Sequence, residues 1–103
     1  MKIWLDDVRP SPSGWLWLSA PEETIFYLRN YVVEEISLDH DLGDKSKGNG
    51  NDVLLWIEER VAMEQAYQPP FIYVHSCNVP AQLKMKEGIK AIQRLLEKRK
   101  ENV

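Results

Sequence analysis

Asp6 and Asp7 follow the apolar run KIWL, Asp39, His40 and Asp41 follow EEISL, and His75, Ser76 and Asn78 follow or close on FIYV. Carboxylates, imidazoles and hydroxyls are the groups that hold divalent cations, move protons near neutral pH and bind phosphate oxygens. Ionised carboxylates gathered in one place repel each other, and partial burial enlarges that cost unless a cation, basic groups or raised pKa values compensate. A divalent metal is the simplest remedy. Asp6, Asp7 and Asp39 are all oxygen donors, which suits Mg²⁺ or Mn²⁺ better than a soft-ligand zinc site.

His40 and His75 are the only histidines in the chain. They can supply the base that activates an attacking water and the acid that protonates a leaving oxygen, with Asp41 orienting an imidazole. Metal ligation is equally open to them. Ser76 lacks the G-x-S-x-G setting of a nucleophile and reads, with Asn78, as a hydrogen-bond donor to phosphate oxygens. Arg9 can clamp a phosphate bidentately or form an ordinary surface ion pair. Lys45 and Lys47 either neutralise an anionic substrate or stand as solvated loop charges. The plain alternative for each aspartate is a cap on a strand end or turn.

Two familiar motifs do not apply. DHDLGDKSKGNG opens like a calcium loop, but its sixth position is Asp44 where that loop needs glycine, and its twelfth is Gly50 where it needs a bidentate glutamate. The His40-Asp41 pair resembles the signature of helical metal phosphohydrolases, yet it follows a strand in a chain with too few helices for that fold.

The elements that must position these residues are legible in outline. KIWL, WLWLS, EEISL and FIYV are short apolar runs bounded by turn residues, each too short for a helix. SAPEETIFYLRNY reads as a helix capped by Ser19, with Pro21 in its first turn and Ile25, Leu28 and Val32 on its apolar face. After the polar loop DKSKGNGN, Asn51 or Asp52 caps a second helix that buries Val53, Leu54, Ile57 and Val61. A third helix runs from about Ala81 with Met85, Ile89, Ile92 and Leu96 as its core stripe. Strands alternating with helices favour a parallel sheet with right-handed crossovers, whose ligand crevice lies outside the carboxyl ends of the strands. The chemistry-bearing clusters stand at three such ends. Trp4, Trp15, Trp17 and Trp56 are expected to fill the core, with Trp15 or Trp17 a second candidate use as a stacking platform for a nucleobase.

Composition bounds the rest. The 103 residues, 44% hydrophobic and 28% charged, predict a single ordered domain over residues 1–103. A net charge of −3 carries no general nucleic-acid signature, so no stable DNA binding is expected. The last helix interleaves its basic residues with Glu87 and Glu97, the pattern of a solvated face. Cys77 is the only cysteine, which excludes an internal disulfide and suits a reducing interior. No run reaches membrane-span length, and MKIWLDD meets two aspartates before a signal-peptide core forms, so a cytoplasmic location is expected.

LDD after the first strand, Asp39 followed by x-x-Leu-Gly, a glycine opening the next helix and Ser76 after the fourth strand together resemble a response-regulator receiver domain. In that resemblance Asp6 and Asp7 match the metal-binding acids, Asp39 the phospho-acceptor and Ser76 the switch hydroxyl. Two departures stand out: almost no room for a helix between the first two strands, and no final strand carrying the receiver's lysine. The fuller pattern WLDDVRPSPSGW, EEISLDHDLGD, VLLWIEE and VHSCN is similar to the cyclic-phosphate processing receiver-like family over nearly the whole chain. Ala81 stands where that family often has glycine. The resemblance implies a truncated receiver/flavodoxin-like three-layer α/β domain with a mainly parallel four-stranded sheet. It further implies a cytoplasmic bacterial or phage protein that acts on a cyclic phosphate, at an RNA terminus or in a nucleotide. The expectation is therefore a metal-assisted cyclic phosphodiesterase. Asp6, Asp7 and Asp39 would hold Mg²⁺ or Mn²⁺, His40, His75 and Asp41 would handle protons, and Arg9, Ser76 and Asn78 would hold the phosphate. The alternative is a non-catalytic phospho-acceptor or a ligand- or partner-binding module.

Overall fold

A computed structural model describes residues 1–43 and 45–101; Asp44, singled out above, lies outside the described residues. Four strands, β1 (Lys2–Leu5), β2 (Leu16–Leu18), β3 (Glu35–Leu38) and β4 (Phe71–Val74), form one all-parallel sheet in the order β2-β1-β3-β4. Three helices, α1 (Pro21–Asn30), α2 (Gly50–Met63) and α3 (Val79–Glu101), complete the receiver/flavodoxin-like arrangement.

Register explains where the core lies. Ile3 is level with Leu16 and Ile36, and Ile36 with Ile72; one pleat on, Leu5 is level with Leu18 and Leu38, and Leu38 with Val74. Side chains alternate across a sheet, so these eight share one face. They join Leu28 of α1, Val53, Leu54, Ile57 and Val61 of α2, and Met85 and Ile92 of α3 in a single core cluster. Neighbouring helices pack α1 on α2 and α2 on α3.

The opposite face carries no helix among the described residues, which corrects the three-layer expectation. Handedness gives the reason. From β1 the chain steps to β2 on one side, then back across β1 to β3 and onward to β4. Right-handed crossovers therefore put the β1–β2 link on one face and both α1 and α2 on the other. The β1–β2 link, residues 6–15, contains no helix. Its Trp15 lies edge-on to Trp4 and Tyr73, with ring centroids 6.3 Å away in both cases, and Lys2 Nζ sits 5.7 Å from its ring centre.

Trp4, Trp15 and Trp17 consequently lie outside the core, while Trp56 of α2 packs against it. Trp4, Trp15 and Trp56 are half-buried and Trp17 is 45% exposed. Helix boundaries differ in detail from those expected. Ala20, not Ser19, is the N-cap of α1 and makes no side-chain cap bond, while Thr24 Oγ1 donates to the Ala20 carbonyl at 3.0 Å. Val33 is buried, whereas Val32 is exposed. Asn49 caps α2: its Oδ1 accepts from Asn51 N at 2.9 Å and Asp52 N at 3.3 Å, and Asp52 Oδ2 accepts from Asn49 N at 2.8 Å. That reciprocal pair is a capping box, with Asp52 as its second member rather than the cap. α3 begins at Val79, two residues before Ala81, because Asn78 Oδ1 accepts from Ala81 N at 3.1 Å.

Candidate functional site at the carboxyl edge of the sheet

The sheet's ladder runs one step past each strand: Asp6 N donates to Leu18 O, Asp39 N to Leu5 O and His75 N to Leu38 O, each at 3.0 Å. Alternation then sets Asp6, Asp39 and His75 on the helix-free face, two residues beyond Trp4, Ser37 and Tyr73. One ligand atom from each of the three lies within 4.8 Å of the others. Asp6 and Asp39 are buried and His75 nearly so.

Asp6 is held from four directions. Its Oδ1 accepts from Val8 N at 2.8 Å and Arg9 N at 2.9 Å; its Oδ2 lies 3.1 Å from His75 Nε2 and 3.4 Å from Arg9 Nε. Burial pushes the Asp6 pKa up, but the two backbone N–H donors and His75 outweigh it, so the carboxyl sits below its usual value. Asp39 goes the other way. Burial and then the Asp6 carboxylate raise its pKa, against the weaker pull of His75, Arg9 and a hydrogen bond from Ser76. The chain's own groups thus leave a carboxylate pair only partly compensated, which is the setting a divalent cation fits.

His75 is fixed on three sides. Its ring stacks on Trp4 with centroids 3.8 Å apart and planes 6° from parallel, and its Nδ1 lies 2.7 Å from Ser37 Oγ. A hydroxyl can donate to or accept from that nitrogen, so Ser37 supports either tautomer. Burial lowers the His75 pKa despite the nearby Asp6 and Asp39. Trp4 is itself pinned, its Nε1 donating to Arg9 O at 2.9 Å. Arg9 extends an NH2 to the His75 carbonyl at 3.0 Å and to Cys77 Sγ at 3.4 Å, tying the β1–β2 link to the end of β4.

His40, Asp41, Asn78 and Lys45 form a second group. His40 Nδ1 lies 2.8 Å from Asp41 Oδ1, and Asn78 Nδ2 donates to Asp41 Oδ2 at 3.2 Å. The bond to His40 is the main reason the Asp41 pKa is lowered. His40, Asp41, Asn78 and Lys45 line an open cleft of about 580 Å³ together with Leu42, Gly48 and Asn49. Lys47 does not line it; that side chain borders a recess beside α1 with Pro21 and Glu22. Asp7 is apart from both groups, its Oδ2 accepting from Gly43 N at 2.6 Å. Ser76 Oγ accepts from Asn78 N at 3.1 Å, and Asn78 caps α3, so both have structural duties as well.

Trp4 and Ser37 are the site residues that reading by motif passes over. A signal was present: each stands two positions before an acid of the site, on the same side of its strand, and Ser37 interrupts an otherwise apolar run.

The sequence profile of the cyclic-phosphate processing receiver domain matches residues 1–91. The chain belongs to that family. Comparison with curated proteins and with solved structures returns no match. The cyclic-phosphate processing receiver assignment covers all four strands and both clusters just described; Arg99, which braces α2 from the end of α3, lies beyond the matched segment.

Proposed function

We propose that this receiver domain is a metal-assisted phosphoesterase that opens a cyclic phosphate carried by a nucleotide or an RNA end. The observation that carries the reading is the convergence of Asp6, Asp39 and His75 within 4.8 Å on the edge of the sheet, in a family associated with cyclic-phosphate processing. Those three residues would hold the cation, with Mg²⁺ or Mn²⁺ suited to two carboxylates and one imidazole. His75 is then a ligand, aimed by Ser37 and Trp4, and Asp7 supports the Gly43 loop. When bound, such an ion polarises a phosphoryl oxygen and lowers the pKa of a coordinated water.

The chain's own groups supply the rest. Arg9, at the rim beside Asp6, donates to a non-bridging oxygen with charge assistance. His40 accepts the proton of the attacking water at Nε2 while Asp41 holds Nδ1. Water's oxygen bonds to phosphorus, the bond from phosphorus to one ring oxygen breaks, that oxygen takes up a proton, and a phosphomonoester results.

The test is hydrolysis of 2′,3′-cyclic and 3′,5′-cyclic nucleotides and a cyclic-phosphate-ended oligonucleotide with Mg²⁺, with Mn²⁺ and with chelator. Metal-dependent turnover that disappears in Asp39→Asn and falls at least a hundredfold in His40→Ala, on the scale of general acid–base catalysis, is expected. Silence of the folded, metal-loaded protein across the panel rejects the reading. A phospho-acceptor role draws on a separate observation, the burial of Asp39 and Ser76 just past the ends of the paired strands β3 and β4. Acetyl phosphate with Mg²⁺ would then leave a labile phosphoryl group on Asp39.

A further inference from the structure

The helix-free face of the sheet leads straight into the site. Trp17 is level with Trp4 across the β1–β2 pair, on the same face as Asp6, and its Nε1 donates to the Asp6 carbonyl at 2.6 Å. The indole is 45% exposed. Its single donor is already used, so what it offers a ligand is the flat π surface. Trp4 has its Nε1 committed in the same way, to the Arg9 carbonyl. Tyr73 and Phe71 are exposed on the same face at the far edge of the sheet, along β4. A sheet face bearing ring surfaces rather than free donors recognises planar groups by stacking, which every nucleobase permits.

From this, resting on the proposed cyclic-phosphate reading, we infer that Trp17 is a base-stacking platform and that the substrate is a nucleoside cyclic phosphate, free or at an RNA end, rather than a base-free cyclic phosphate. Three features favour that occupant over another protein surface. The platform adjoins the candidate phosphate site through the Asp6 backbone. Arg9, its Nε 3.4 Å from Asp6 Oδ2, supplies a cation at that site for the phosphate of the same ligand. The buried carboxylates and His75 beneath are matched to an ion and a phosphate, not to an apolar partner.

The experiment compares kcat/KM for 2′,3′-cyclic nucleotides with that for glycerol 1,2-cyclic phosphate, which presents the same ring without a base. Wild type is expected to prefer the nucleotides by roughly ten- to a hundredfold, the range that stacking one base provides. Trp17→Ala should erase the preference and Trp17→Phe should keep it, since phenylalanine restores a ring but not the N–H. Equal turnover of both classes by wild type, or a preference intact in Trp17→Ala, overturns the platform while leaving the phosphoesterase standing. If no cyclic phosphate is turned over, calorimetric binding of adenosine 3′-monophosphate against glycerol phosphate decides: base-dependent binding lost in Trp17→Ala supports the platform, and equal binding overturns it. A dimer in sedimentation that Trp17→Ala dissociates would make this face a contact between copies and overturn it as well.

Discussion

His75 concentrates the physics of this site in one side chain. Its Nε2 faces Asp6, its Nδ1 faces Ser37 and its ring lies on Trp4, so it is poorly placed to swing as a free acid or base and well placed to be aimed. Burial lowers its pKa from the usual 6.5. A histidine that resists protonation when folded takes up protons more readily when unfolded. Its contribution to stability is therefore full above the unfolded value and is lost as pH falls from about 6.5 toward the lower folded value. In chelator, the urea midpoint should drop over that window, and His75→Gln should flatten the drop. Asp39 has the opposite sign, its raised pKa marking a charge that the fold holds at a cost. Asp39→Asn should raise Tm of the chelated protein near pH 7 while removing its response to divalent cations. A lower Tm for that variant in chelator would mean that the carboxylate pair is already fully compensated by Arg9 and His75.

At the scale of elements, the start of α2 is the joint between core and site. A Cβ on Gly50 would stand 1.9 Å from the Asp39 carbonyl oxygen, so only glycine lets the helix approach the end of β3. Gly50→Ala should cost about 2 kcal/mol or more in denaturant unfolding, as overpacking does, and weaken cation binding by displacing Asp39. The preceding cap is an independent contribution: Asn49→Ala should cost about 1 kcal/mol with little effect on the cation. The other end of α2 is closed from a distance. Arg99 NH1 donates to Tyr67 O at 2.6 Å and NH2 to Val61 O at 2.7 Å and to Glu64 O, so one guanidinium serves three carbonyls. Arg99→Met should lower stability by roughly 1.5–3 kcal/mol, the scale of a charged hydrogen-bonded group, in the same unfolding assay.

Across the whole molecule, three helices and four strands share one core, and no helix among the described residues is long and apolar enough to cross a membrane. The opposite sheet face is left to one loop and a set of aromatic rings. A cation bound only by the folded site must stabilise the entire domain by mass action, since Asp6, Asp39 and His75 come from three strands that separate on unfolding. At a hundred times its Kd, Mn²⁺ should add about 2.7 kcal/mol to unfolding, and the gain should vanish in Asp6→Asn. Melting unchanged by Mn²⁺ in the wild type would remove the ion from the site.

The division between sequence and tertiary structure follows from the range of the forces involved. Strand and helix identity, the core stripes Val53-Leu54-Ile57-Val61 and Met85-Ile92, and the placing of acids at strand ends were legible, because apolar spacing and turn chemistry act over a few residues. The family was legible too, because its motifs lie in short contiguous stretches. What the sequence left open was which end residues meet. Asp6 and Asp7 are neighbours in the chain, yet alternation sends one to His75 and the other to Gly43. Asp39 and His40 part in the same way. The missing helical layer on one face was hidden as well, since it depends on the handedness of crossovers among strands far apart in sequence. Only the assembled sheet, with its order and register, decides which side chains share a face and which of them come within reach of one another.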